Sequence, residues 1–230
     1  MSASTYAREA PVRYPESDGE PMAENMLQYR WIVTIQGNLD ALLEDALVAG
    51  DLFWYPVEGD NKTRRAPDVL VALGRGKDIR RSYLQWKEGG QPPDVVVEVW
   101  SPGNTYAELM AKLKWYDRFG VSEFILWDPD RIDLIAWRRA EGGELEVVGT
   151  EGGYTSPFLR CTFTLADEEL QIHDAQGRPF KSFLELHAER REALEKAEQE
   201  AARAEQQAAR ADALAEKLRA LGIDPDTVAG

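Results

Sequence analysis

The chain has 230 residues, 43% of them hydrophobic, with seven Trp and eight Tyr, a composition that excludes a disordered chain and leaves room for one good-sized domain plus an appendage. One cysteine, Cys161, excludes an intrachain disulfide, and His173 and His187 alone cannot build a structural zinc site or, lacking a nucleophile motif beside them, a Ser-His-Asp or Cys-His hydrolase. The net charge of −14 weighs against tight non-specific nucleic-acid binding, which calls for a basic footprint; residues 184–230 hold 11 acids and 7 Lys/Arg, so −10 stays with the rest of the chain.

Residues 1–20 read as an irregular N-terminal segment with no basic stretch leading into an apolar run, so no signal peptide is expected. No stretch approaches the roughly 18 apolar residues of a membrane span, and the expectation is a soluble cytoplasmic protein with no membrane partner. Pro21 suits a first helical turn, and Ile32, Ile35, Leu39 and Leu42 recur at helical spacing, predicting a helix over about 22–48. Residues 51–56 read as a strand, 58–62 as a turn, and 66–73 as a second strand antiparallel to the first. A polar loop fills 74–93, and Arg64, Arg65, Arg75, Lys77, Arg80, Arg81 and Lys87 form a local basic segment in and before it. Asp94–Trp100 reads as a third strand. Thr105 and Glu108 form a capping-box signature and Gly120 a natural stop, enclosing a helix with Tyr106, Leu109, Met110, Leu113 and Tyr116 on its apolar face. Further strands are expected at 123–128, 132–138, 145–148, 158–165 and 170–173.

From Phe183 the composition turns to Ala, Glu, Gln and Arg. Leu194, Ala201, Ala208 and Ala215 repeat every seven residues, with Ala197, Ala204, Ala211 and Leu218 interleaved. This is a heptad seam on a long helix. It suits either a dimer or packing helix, or a solvated helix held by i,i+4 charge pairs.

The chemistry rests on acids set into strands. Side chains alternate along a strand, so Val95, Val97 and Val99 share one face while Val96, Glu98 and Trp100 share the other. Both faces are apolar, and a carboxylate there is costly unless a metal or a base meets it. Asp68 opens the preceding strand. On adjacent strands the two acids could hold one hard cation with oxygen ligands. Lys112 borders the apolar face of the following helix, from where its ammonium could stabilise charge on an attacked phosphate; Lys114 borders the opposite edge, and spacing does not choose between them. The alternatives are a structural ion-pair cluster and a plain Glu108–Lys112 surface pair.

Pro67-Asp68, Glu98-Val99-Trp100-Ser101-Pro102, the run from Glu108 through Lys112 and Tyr116 to Val121, and Leu126-Trp127-Asp128-Pro129 resemble the Uma-type family of bacterial restriction endonucleases, within the PD-(D/E)XK nuclease superfamily. The resemblance covers about residues 15–180. It implies a restriction-endonuclease-like αβββαβ core, which with the added β-strands and the long C-terminal helix read above makes a mixed α/β fold. The domain limits are then 21–182 for the nuclease-like domain and 183–230 for the coiled-coil-like tail. It implies Asp68 and Glu98 as metal ligands, the Val99 carbonyl as a third, Glu24 as an acid from the first helix, and Lys112 as the catalytic lysine. Two residues after Glu98, where the superfamily keeps its lysine, this chain has Trp100. The implied activity is Mg²⁺- or Mn²⁺-dependent hydrolysis of DNA by a homodimer, with the C-terminal helix one route to pairing. The alternative is a nuclease-fold module that assembles proteins through its helical tail.

Overall fold

The computed structural model describes residues 12–15, 25–141 and 143–222. They fall into two units, Met1–Phe180 and Lys181–Gly230. The first unit opens with helix α1 (Met26–Leu42), followed by strands β1 (Ala46–Ala49), β2 (Trp54–Tyr55), β3 (Val69–Leu73), β4 (Tyr83–Leu84) and β5 (Val95–Val99). Helix α2 (Tyr106–Arg118) leads to β6 (Glu123–Asp128), β7 (Asp133–Arg139), β8 (Leu145–Val148), β9 (Tyr154–Thr155), β10 (Thr162–Ala166) and β11 (Glu169–His173). The second unit is helix α3 (Phe183–Ala220). Among the described residues no helix is long and apolar enough to cross a membrane.

The main sheet has six strands in the order β1-β3-β5-β6-β7-β8, with β5 and β6 parallel across α2 and the other neighbours antiparallel. The elements α1, β1, β3, β5, α2 and β6 reproduce the expected αβββαβ order. Valine-rich β3 and β5 are buried on both faces, as near-continuous apolar runs require. Val69, Val71, Val95, Val97 and Val99 pack with Ile32, Ile35 and Leu39 of α1, and with Phe163, Leu170 and Ile172 of the small β11-β10-β9 sheet. Leu70, Ala72 and Val96 face the other way, onto Leu109 and Tyr116 of α2 and onto Trp54.

Several expected boundaries are corrected. The first helix stops at Leu42, and Ala46–Ala49 is the edge strand β1, not helix. The apolar residues of β1 mimic a continued helical pattern, but pairing with β3 decides their conformation. The stretch 51–56 supplies only Trp54–Tyr55, which pairs in parallel with β4 rather than antiparallel with the next strand. An isolated antiparallel bridge, Trp54 to Arg65, links it to the chain before β3. The long loop contains β4 and a single 3₁₀ turn, Gln85–Glu88. Of the predicted apolar face of α2, Leu109 and Tyr116 are buried while Tyr106 and Met110 are exposed. The Thr105–Glu108 capping box is present. Gly120 ends α2 at φ +91°, where a Cβ would lie 3.2 Å from Cγ of Pro92, so both backbone and space select glycine. Cys161 is buried, as expected.

Candidate active site

Antiparallel pairing sets Val69 opposite Val97, and one step further along this register Asp68 lies across from Glu98. Side-chain alternation then points both acids to the α2 face of the sheet. The Asp68 carboxylate accepts the Val99 N–H at 2.7 Å, which ties the start of β3 to the end of β5. Glu98 is 2% exposed. One of its carboxylate oxygens accepts from Lys112 Nζ at 2.8 Å, and the other accepts from the Tyr116 hydroxyl. Both donors project from one face of α2, four residues apart. The structure therefore chooses Lys112 over Lys114 as the lysine that meets the sheet. It also removes the surface-pair alternative, because Glu108 is engaged at the helix cap by Thr105.

The electrostatics follow from this packing. Burial, and then the nearby Glu98 charge, push the Asp68 carboxyl well above the usual carboxylate range, against the Val99 N–H and the Lys112 charge. Lys112 is pulled down by burial, but Glu98 more than offsets this and its pKa is raised, so it stays an ammonium. Burial beside Glu98 pushes the Tyr116 phenol well above its ordinary value, so it stays a donor. Two carboxylates share a dry corner, and one ammonium does not fully compensate them. Beside them Glu98, Val99, Trp100, Asn104, Glu108 and Lys112 line a narrow recess.

The donor set fits a hard divalent cation. Asp68, Glu98 and the Val99 carbonyl offer oxygen only, and the mutual charge of the two acids is what such an ion would relieve. Among the described residues no group of three or more His, Cys, Asp or Glu side chains is arranged to hold a metal ion. The Val99 carbonyl accepts from the side chain of buried Gln28 on α1 at 2.9 Å. Glu24, the acid expected from the first helix, lies outside the described residues. The residues that reach the cluster without having been singled out for it are Gln28 and Tyr116. Tyr116 carried a signal, its i+4 spacing from Lys112. Gln28 carried none, because only the fold brings α1 over the end of β5.

The basic segment is mostly consumed internally. Arg80 pairs with Glu88 at 2.7 Å, Lys77 with Asp40 at 3.3 Å, and Arg75 donates to Gln91 at 2.7 Å. Arg64 lies over the Phe53 ring at 4.8 Å and Trp86 packs on Tyr14 at 5.1 Å. These groups brace the loop rather than form an open cationic face.

No curated protein matches the chain. Among solved structures, the crystal structure of a putative nuclease belonging to DUF820 from Anabaena variabilis aligns at 17% identity, covering 64% of this chain and 86% of that one, with a TM-score of 0.46. The model of the Uma2 family, described as "Putative restriction endonuclease", matches residues 4–166. That span is well over half of the sequence, and the chain belongs to the Uma2 family.

Proposed function

We propose that this protein is a divalent-metal-dependent endonuclease that hydrolyses DNA phosphodiesters, within the PD-(D/E)XK superfamily. The observation that supports it most is the acid pair Asp68–Glu98, with Asp68 just ahead of β3 and Glu98 buried in the adjacent β5, the Lys112 ammonium lying 2.8 Å from Glu98. Asp68, Glu98 and the Val99 carbonyl would hold Mg²⁺ or Mn²⁺. The ion, when bound, supplies Lewis-acid polarisation of a phosphoryl oxygen and a more acidic water. The chain does the rest. Tyr116 and Lys112 fix the Glu98 carboxylate by two donated hydrogen bonds. Gln28 orients the Val99 carbonyl. Lys112 sits where it can stabilise negative charge building on the attacked phosphate, work that needs only the position of the ammonium and not its place in sequence. A second copy, recruited through α3, would provide the second site needed to cut both strands.

The test is cleavage of plasmid and single-stranded DNA in Mg²⁺ or Mn²⁺ by wild type, Glu98→Ala and Lys112→Ala. Wild-type cutting that falls at least about 100-fold in both variants is expected, the scale of losing a preorganised charge-stabilising group. Equal cutting by all three would place the activity elsewhere. No cutting by any, with RNA also intact, would favour the assembly-module alternative.

A further inference from the structure

Arg65 stands three residues ahead of Asp68 and is built into the structure from both ends. Its backbone N–H and C=O both bond to Trp54, at 3.2 and 2.8 Å. Its guanidinium carbon lies 5.7 Å from the centre of the Trp115 ring, which lies one turn along α2 from Lys112. Its Nε is closed off from solvent and has no hydrogen-bond partner. Among the described residues the guanidinium makes no ion pair or hydrogen bond. The contrast with Arg80, Arg139 and Arg178 is plain, for each of these is paired with a carboxylate.

A desolvated donor left without an acceptor costs about 1–3 kcal/mol. Packing on Trp115 would be served as well by an apolar side chain, so packing alone does not account for an arginine here. The geometry sets it beside the site: Trp115, over which the guanidinium lies, stands on α2 between Lys112 and Tyr116, the two residues that bond to Glu98. An arginine held by its backbone and an aromatic ring, three residues ahead of Asp68 and paired with no carboxylate, is placed for an anion that arrives from outside. A planar guanidinium offers two parallel N–H donors, which match the two non-bridging oxygens of a phosphodiester.

We propose that Arg65 is a phosphate-binding residue of this site, gripping the backbone of the nucleic acid beside the bond on which the acid pair and Lys112 act. This rests on the nuclease reading and adds to it a residue outside its acid–lysine set. It also answers the charge objection: a molecule at −14 needs few cations if one is pre-placed and unpaired at the point of contact.

The experiment measures binding of a fluorescent DNA duplex by the full chain in Ca²⁺ over a range of salt concentrations, for wild type, Arg65→Ala, Arg65→Lys and Arg65→Met. Mn²⁺ titration calorimetry and thermal melting are run on each protein. Loss of one phosphate contact predicts about 10-fold weaker binding by Arg65→Ala and Arg65→Met, and a salt slope shallower by about one unit. Arg65→Lys should restore the slope but only part of the affinity, because the fork is lost. Mn²⁺ binding should be unchanged throughout, and melting of Arg65→Met should be equal to or above wild type. Unchanged affinity and slope in Arg65→Ala and Arg65→Met, with wild type binding Mn²⁺ and DNA normally, would overturn the role of Arg65 and leave the nuclease reading standing. A wild type that binds neither Mn²⁺ nor DNA would overturn both.

Discussion

At Glu98 a single strand residue joins three elements: it is carried by β5, held by two side chains of α2, and set against Asp68 from the start of β3. Removing the Tyr116 hydroxyl leaves a buried carboxylate oxygen short of a donor. Tyr116→Phe should therefore lose about 1–3 kcal/mol of stability in a urea titration, and a loss near zero would show that Glu98 finds another donor. Asp68 sets the pH behaviour of the site. If Asp68 is a ligand as proposed, its raised pKa makes cation binding compete with a proton at that carboxyl. Mn²⁺ affinity should climb with pH by up to about tenfold per unit until that carboxyl is ionised, with close to one proton released. Calorimetry in buffers of different ionisation heats reads both quantities, and a pH-independent affinity would remove Asp68 from the ligand set. The acids were legible in the sequence because they interrupt or open apolar runs, whereas spacing left Lys112 and Lys114 open and the fold decides between them. Arg65 was legible only as one member of a basic segment, since its lack of a partner is a property of the fold.

Among the elements, β6 carries a second buried acid at its first residue. Glu123 is 0% exposed, accepts from Ser156 Oγ at 3.0 Å, and thereby ties the six-stranded sheet to the turn between β9 and β10. Burial pushes its carboxyl up to about 7, against the Ser156 and Tyr154 hydroxyls. The folded pKa lies above the unfolded one, so the neutral form favours folding. Stability from this residue is full below about pH 4.5 and is lost as the pH rises through 7. Glu123→Gln should match wild type near pH 5 and exceed it by up to about 3 kcal/mol near pH 8. An equal difference at both pH values in denaturant titrations would show that Glu123 does not titrate in this range. Element types followed well from local signals where the decisive contacts are local, as in the Thr105–Glu108 capping box or the pattern of Glu123–Asp128. The type failed at Ala46–Ala49, which reads as helix, and the pairing failed at Trp54–Tyr55, since partners more than twenty residues away decide both outcomes. The first strand of the αβββαβ core was consequently assigned one segment too late, although the order of elements was right.

For the whole molecule, α3 has no buried residue along its 38 positions, and Leu194 and Leu214 are more than half exposed. Truncation after Ser182 should leave the melting temperature of the preceding unit within about 2 °C, since α3 carries no buried residue. The same truncation should abolish self-association in sedimentation if the heptad seam pairs two copies; a truncated chain that dimerises with unchanged affinity would assign the interface to the first unit. The heptads were visible in sequence, but what they face was not, because alanine-rich seams suit solvent and a second helix alike. Cation binding by the acid pair is the property on which the proposed activity depends. The most direct measurement is calorimetric titration of Mn²⁺ into wild type, Asp68→Asn and Glu98→Gln, each checked for folding by melting. The account predicts saturable binding to wild type that both variants lose while remaining folded. No binding to wild type, or equal binding by all three, would contradict it.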